Sequence, residues 1–208
     1  LYTEGIFTNQ DYSPKIEIIS KNKKGFIDSI NVQLPSEMVL KDFAGTRNVI
    51  SASSCGVCGK TSLDEENQNR VVNVEKLDAT LVPKMFDLIS QGQENFKKAG
   101  GTHAAGAFSI DGKLLMLKED IGRHNAVDKV IGFLFNNKIM NTAKFMTVSG
   151  RISYEIVEKV KSANIPFLAA VSAPSSLAID NAQESGITLM GFYRNDKFTI
   201  YSNPQQVI

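Results

Sequence analysis

Two rhythms of apolar and polar positions divide the chain. Residues 15–20 (KIEIIS) and 26–34 (FIDSINVQL) alternate apolar and polar side chains and are rich in β-branched residues. With Lys21–Gly25 as a polar turn between them, they predict a β-hairpin. Residues 45–70 lose all periodicity and fill with Ser, Gly, Asn and Glu, the mark of a long exposed loop. From about residue 80, helical patterns of roughly a dozen residues alternate with short apolar runs. Helices are expected over 80–92, 125–136, 153–163 and 176–185. Strands are expected over 104–110, 114–118, 143–148, 167–172, 187–194 and 197–202, with turns at Asp111-Gly112 and Asn195-Asp196. Helix–strand alternation of this kind predicts an α/β layered sheet. Ala126, Val127, Val130, Ile131 and Leu134 share one helical face, the expected core stripe of the 125–136 helix. Met116, Met140, Met146 and Met190 lie in apolar segments and read as core filling.

Composition narrows the class. In 208 residues, 42% hydrophobic and 22% charged side chains suit one main globular domain with a smaller satellite. No apolar run approaches the ~18 residues of a membrane span, so a soluble chain with no membrane role is expected. The net charge of +1 is dispersed. Lys21, Lys23 and Lys24 form its densest cluster and fit a solvated hairpin tip, so nucleic acid is not an expected partner. Only two cysteines are present, two residues apart, and they cannot staple a fold of this length. No signal peptide precedes them, although the chain starts at Leu1 rather than Met, and a reducing cytoplasm is the expected compartment.

Those cysteines, Cys55 and Cys58, sit in SASSCGVCGK (51–60). A structural zinc would need two more ligands, and the only histidines, His103 and His124, are 21 positions apart rather than in a compact pair. Deaminase zinc sites read H-x-E followed later by P-C-x-x-C. Here His103 is followed by Ala104 and Ala105, and the cysteine pair precedes the histidine. No metal site is therefore expected. A thioredoxin-type motif would open a helix, and Gly59-Lys60-Thr61-Ser62 begins none. Flanking Gly56 and Gly59 suit a moving loop, and Lys60 or Arg47 would favour thiolate, so the pair could accept and pass on sulfur. A solvated loop with incidental thiols is the plainer alternative.

EDIGRHNAVDK (119–129), SGRISYE (149–155) and SAPSSLA (172–178) each follow an expected strand and open an expected helix. Ligands of open α/β sheets settle at such strand ends, where helix N-termini face anions. Arg123, Arg151, Ser153, Ser175 and Ser176 could line one phosphate-binding crevice, with Gly100-Gly101-Thr102-His103 adding an imidazole. Plain N-capping by Ser153 and Ser175 is the alternative and does not exclude binding.

The segments SCGVCG (54–59), GGTHAAG (100–106), EDIGRHNAVDKVIG (119–132), SGRISYEIVEKV (149–160), VSAPSSLAIDNA (171–182) and GITLMGFY (186–193) occur in an order that resembles the FdhD family of formate dehydrogenase accessory sulfurtransferases. The resemblance runs over nearly the whole chain, and EDIGRHNAVDK is its most specific part. It implies a cytidine-deaminase-like three-layer α/β/α domain over 71–208, a mobile CxxC loop over 45–70, and a smaller β-rich domain over 1–44. The family has several tens of residues before LYTEGI (1–6), so an N-terminally truncated smaller domain is expected. Cys55 would carry a persulfide received from a cysteine desulfurase, with Cys58 as its partner. The acceptor implied is the molybdenum or tungsten bis-pyranopterin guanine dinucleotide cofactor, bound as substrate and destined for formate dehydrogenase. Phe192, Tyr193, Arg194, Asn195, Asp196 and Lys197 match the family's cofactor-binding stretch, although RND stands where a Pro-Gly turn is common. Arg194 and Lys197 suit phosphates. A homodimer is also implied. A cofactor-binding chaperone without sulfur relay is the second reading.

Overall fold

The computed structural model describes residues 2–4, 9, 12–39, 71 and 75–208. The chain divides into two compact units, Leu1–Thr46 and Arg47–Ile208. In the first, β1 (Lys15–Lys21) and β2 (Ile27–Gln33) form the expected antiparallel hairpin. Its turn is closed by the Asn22 side chain, whose Oδ1 accepts from the amides of Lys24 and Phe26 at 3.0 and 3.1 Å, and by Gly25 at φ 83°.

The second unit is built on a six-stranded mixed sheet of order β4-β3-β5-β6-β7-β8. Its strands are β3 (His103–Phe108), β4 (Leu114–Asp120), β5 (Phe145–Val148), β6 (Phe167–Ala170), β7 (Thr188–Arg194) and β8 (Lys197–Ile200). β5, β6 and β7 are parallel, whereas β3 runs against β4 and β5, and β8 against β7. α1 (Leu81–Gly92) and α2 (Glu94–Ala99) precede β3, and α3 (Arg123–Asn136), α4 (Tyr154–Ser162) and α5 (Ser176–Ser185) lie between the later strands.

Both faces of the central strands are buried, and strand alternation shows which helix covers which. Val82, Met85, Phe86 and Ile89 of α1 pack on Ala104, Phe108, Phe145, Phe167, Ala169 and Met190. The intervening residues Ala105, Ala107, Met146, Val148, Leu168 and Leu189 are equally inaccessible and face the other way. That side receives α3, which packs on β3 and β4 and continues through α4 to α5. Small residues in β3 let α1 come close: a Cβ on Gly106 would lie 2.1 Å from Cδ1 of Ile89. The mixed α/β class read from the periodicity is therefore observed, and the α3 stripe is buried as expected.

Two local differences have clear causes. Residues 94–99 form α2, which the pattern missed because this helix buries no side chain of its own. Instead Glu119 accepts at its N-terminus from the amides of Asn95 and Phe96, both at 2.8 Å. α3 starts at Arg123, ahead of its first apolar position, because Gly122 can end the preceding turn as its N-cap. No helix among the described residues is long and apolar enough to cross a membrane.

Candidate anion-binding site at the carboxyl end of the sheet

β4, β5, β6 and β7 all end on one side of the sheet, and antiparallel β3 begins there. The loops beyond β5 and β6 are stitched together: the Ile152 amide donates to Ala173 O at 3.1 Å, and the Ser175 amide to Ile152 O at 3.0 Å. The Phe192 amide donates to Ser172 O at 3.3 Å, tying in β7. A Cβ on Gly191 would lie 3.0 Å from Pro174 Cδ and 3.3 Å from Ser172 O, so β7 and the loop beyond β6 approach closely there.

Within this frame His103, Arg123 and Arg151 converge. His103 opens β3, and its Nδ1 lies 3.4 Å from Ser149 Oγ, which also accepts from the Ala104 amide at 2.9 Å. Arg123 opens α3, and a Cβ on Gly150 would sit 3.2 Å from His103 Nδ1 and 3.4 Å from Arg123 Cβ and Cδ. Gly150 therefore keeps the floor between the two side chains flush. Burial, and then the charges of Arg123 and Arg151, hold the His103 imidazole below its usual pKa of 6.5, so it is neutral at pH 7. Burial and Arg151 likewise lower Arg123, which stays cationic. Two guanidinium groups beside a neutral imidazole suit an oxyanion.

Ser153 joins this group through His124. The His124 Nε2 is 3.1 Å from Ser153 Oγ and 3.1 Å from Glu155 Oε2. Burial first, then Arg123 and Lys159, push the His124 pKa to about 4 against the opposing pull of Asp128. At neutral pH the Glu155 contact is therefore an N–H···O bond rather than an ion pair. Because its hydroxyl faces His124, Ser153 makes no side-chain cap bond to α4. Ser175 behaves differently: its Oγ accepts from the Ala178 amide at 3.2 Å and caps α5.

The β7–β8 hairpin leaves from the same end of the sheet, since β7 is parallel to β6. Asn195 and Asp196 both have positive φ, 49° and 60°, as a two-residue hairpin turn requires. Tyr193 and Asp196 hold this turn. The Tyr193 hydroxyl donates to Asp196 Oδ1 at 2.8 Å, and its ring stacks on Phe86 at 4.1 Å between centroids. Burial and that bond push the Tyr193 pKa up to about 12. Phe192, Arg194, Asn195 and Lys197 are exposed, and Arg194 pairs in register with Lys197, so two cations stand side by side. Phe192 is 47% exposed on a backbone with φ 55°, beside the register shift between Gly191 and Arg194. Cys55 and Cys58 lie outside the described residues.

Ser149, Gly150, Glu119 and Asp120 open the expected turn segments 149–155 and 119–129, which do not by themselves mark these four as residues of the site. Only Asp120 had a local signal, the Asp-x-Gly spacing of an Asx turn, in which its Oδ1 accepts from the Gly122 amide at 2.8 Å.

The FdhD/NarQ family model matches residues 1–208. The chain is 46% identical over 170 residues to the sulfur carrier protein FdhD of Nocardia farcinica, covering 78% of this chain and 60% of the relative. It is 39% identical over 209 residues to that of Sulfurisphaera tokodaii, covering 100% and 77%. The chain thus spans three fifths of the Nocardia relative's length and more of the Sulfurisphaera one's. Among solved structures, a protein from Desulfotalea psychrophila described as a formate dehydrogenase accessory protein matches with a TM-score of 0.63 and 25% identity, over 69% of this chain and 61% of that one. The chain belongs to the FdhD/NarQ family.

Proposed function

We propose that this protein is a cytoplasmic sulfurtransferase that takes sulfur from a cysteine desulfurase and delivers it to the guanine-nucleotide-containing molybdenum or tungsten pterin cofactor used by formate dehydrogenase. The observation that carries this reading is the convergence of His103, Arg123 and Arg151 at the carboxyl end of the sheet, in a chain whose relatives are named sulfur carriers. A phosphate-bearing substrate suits that charge, and exposed Arg194 and Lys197 on the hairpin extend the cationic surface. The three-layer arrangement favours a cytidine-deaminase-like domain as its origin, and a homodimer as the working assembly is inferred from the family alone.

In the chemistry proposed, the Cys55 thiolate attacks the terminal sulfur of the desulfurase persulfide, giving Cys55 persulfide and the desulfurase thiolate. Attack by Cys58 on the Cys55 sulfur then releases the terminal sulfur as hydrosulfide for the metal and leaves a Cys55–Cys58 disulfide. A dithiol reductant restores the pair. Incubation with a cysteine desulfurase and cysteine should raise the intact mass by one sulfur atom. Equal uptake by Cys55→Ala refutes the assignment. A cofactor-binding chaperone without relay predicts instead that the doubly substituted Cys→Ser protein still yields fully sulfurated cofactor.

A further inference from the structure

Adjacent carboxylates at the end of β4 reach in opposite directions, as neighbouring strand residues must. Glu119 accepts from the Asn95 and Phe96 amides at 2.8 Å and from Thr102 Oγ1 at 2.9 Å. It thereby fixes the turn through Gly100, at φ 67°, that leads directly into His103. Asp120 Oδ1 accepts from the Gly122 amide at 2.8 Å and Asn125 Nδ2 at 3.2 Å, while Oδ2 pairs with Lys129 Nζ at 2.5 Å. Those bonds fix the first turn of α3, on which Arg123 is the first residue. His103 is also the register partner of Asp120. The partners of both carboxylates lie on the segments that enter the crevice or, in Lys129, one turn beyond. Hydrogen bonds hold both acids below their usual carboxylate pKa, so both are ionised at pH 7.

We propose that Glu119 and Asp120 are the positioning residues of the crevice: Glu119 sets the loop that delivers His103, and Asp120 sets the turn that delivers Arg123. The proposal rests on reading the crevice as the acceptor site. Precision matters because His103 and Arg123 both pack over Gly150, where an added Cβ would come 3.2 Å from His103 Nδ1 and 3.4 Å from Arg123 Cβ and Cδ. Neither carboxylate touches the substrate in this scheme.

With only two histidines in the chain, both imidazoles can be followed by NMR titration. His103 faces Arg123 and His124 from α3, Arg151 from the β5–α4 loop, and the Ser149 hydroxyl. In Asp120→Ala, release of Arg123 should raise the His103 midpoint toward 6.5. Loss of a nearby negative charge by itself would lower it, so the sign separates displacement from simple electrostatics. Asp120→Asn keeps an acceptor for the Gly122 amide and should restore the wild-type midpoint. Glu119→Gln keeps one acceptor oxygen and turns an NH2 group against either the Asn95 or the Phe96 amide, and should speed the hydrogen exchange of the amide left without its acceptor. Affinity for guanosine diphosphate, measured by calorimetry, should fall about tenfold in Asp120→Ala and Glu119→Gln if arginine or imidazole contacts are lost. An unmoved His103 midpoint in folded Asp120→Ala, or wild-type nucleotide affinity in both variants, overturns the positioning role. Absence of nucleotide binding in the wild-type protein overturns the acceptor reading instead, and the titration still judges the positioning.

Discussion

Replacing His124 should flatten the stability profile of this protein between pH 7.5 and 5. The imidazole titrates near 6.5 in an unfolded chain and at about 4 in the fold, where burial and the charges of Arg123 and Lys159 oppose protonation. A base with a lowered pKa favours folding while it is neutral. Its contribution is therefore complete above the unfolded value and is lost as pH falls from 6.5 toward 4. At pH 5 the unfolded imidazole is almost fully protonated and the folded one hardly at all, a roughly thirty-fold difference, or about 2 kcal/mol. The side chain is 28% exposed, and solvent screening brings the expected loss to about 1–2 kcal/mol. The lowered carboxylates Asp78, Asp111, Glu119 and Asp120 act below this window, because their unfolded values lie near 4. His103 acts inside it in the same direction and is present in both proteins compared. Urea unfolding at pH 7.5 and 5.0 should show the wild-type protein losing about 1–2 kcal/mol more than His124→Gln. Equal losses, or an NMR midpoint for His124 above 6, would refute the reasoning and make the 3.1 Å Glu155 contact an ion pair after all.

Phe145→Ala should cost about 3–5 kcal/mol in urea unfolding, since the ring is fully buried between Phe108 and Phe167. Nucleotide affinity of the folded variant should be unchanged, because Phe145 starts β5 at the end away from the crevice. Ser175→Ala should cost about 1 kcal/mol through the lost cap on α5, whereas Ser153→Ala should cost no helix-cap energy. The paired thermal scans distinguish the two serines. Arg194→Ala with Lys197→Ala should weaken guanosine diphosphate binding about tenfold while leaving the thermal midpoint in place, as both side chains are exposed. Unaltered affinity would remove the hairpin from the site.

Much of the α/β unit was legible because its strands and helices carry their burial in their own periodicity. Residues 176–185 form α5 with the boundaries expected, and the apolar stripe of α3 is the stripe observed. What escaped was held by contacts distant in sequence. α2 has no apolar face to reveal it, and its N-terminus is secured by Glu119, 24 positions beyond Asn95. Tyr193 shows the same limit from the other side. It lies in the stretch assigned to cofactor binding by resemblance, and its ring is stacked on Phe86 with its hydroxyl bonded within the turn.

Ser153 and Ser175 show how tertiary contacts separate residues that local sequence makes alike. Both precede a helix, both have extended backbones, with ψ of 167° and 158°, and both fit the N-cap preference. Ser175 Oγ accepts from the Ala178 amide and caps α5. Ser153 lies opposite His124, an imidazole kept neutral by burial and by the cations around it, and its hydroxyl goes there. The cationic crevice thus alters the capping of the helix that borders it. Ser153 Oγ, 3.1 Å from His124 Nε2, makes no cap bond to the first amides of α4. The amides of Ile156 and Val157 are instead taken by the Ser153 carbonyl at 3.1 and 3.3 Å, so the first turn of α4 closes through the backbone without the serine side chain.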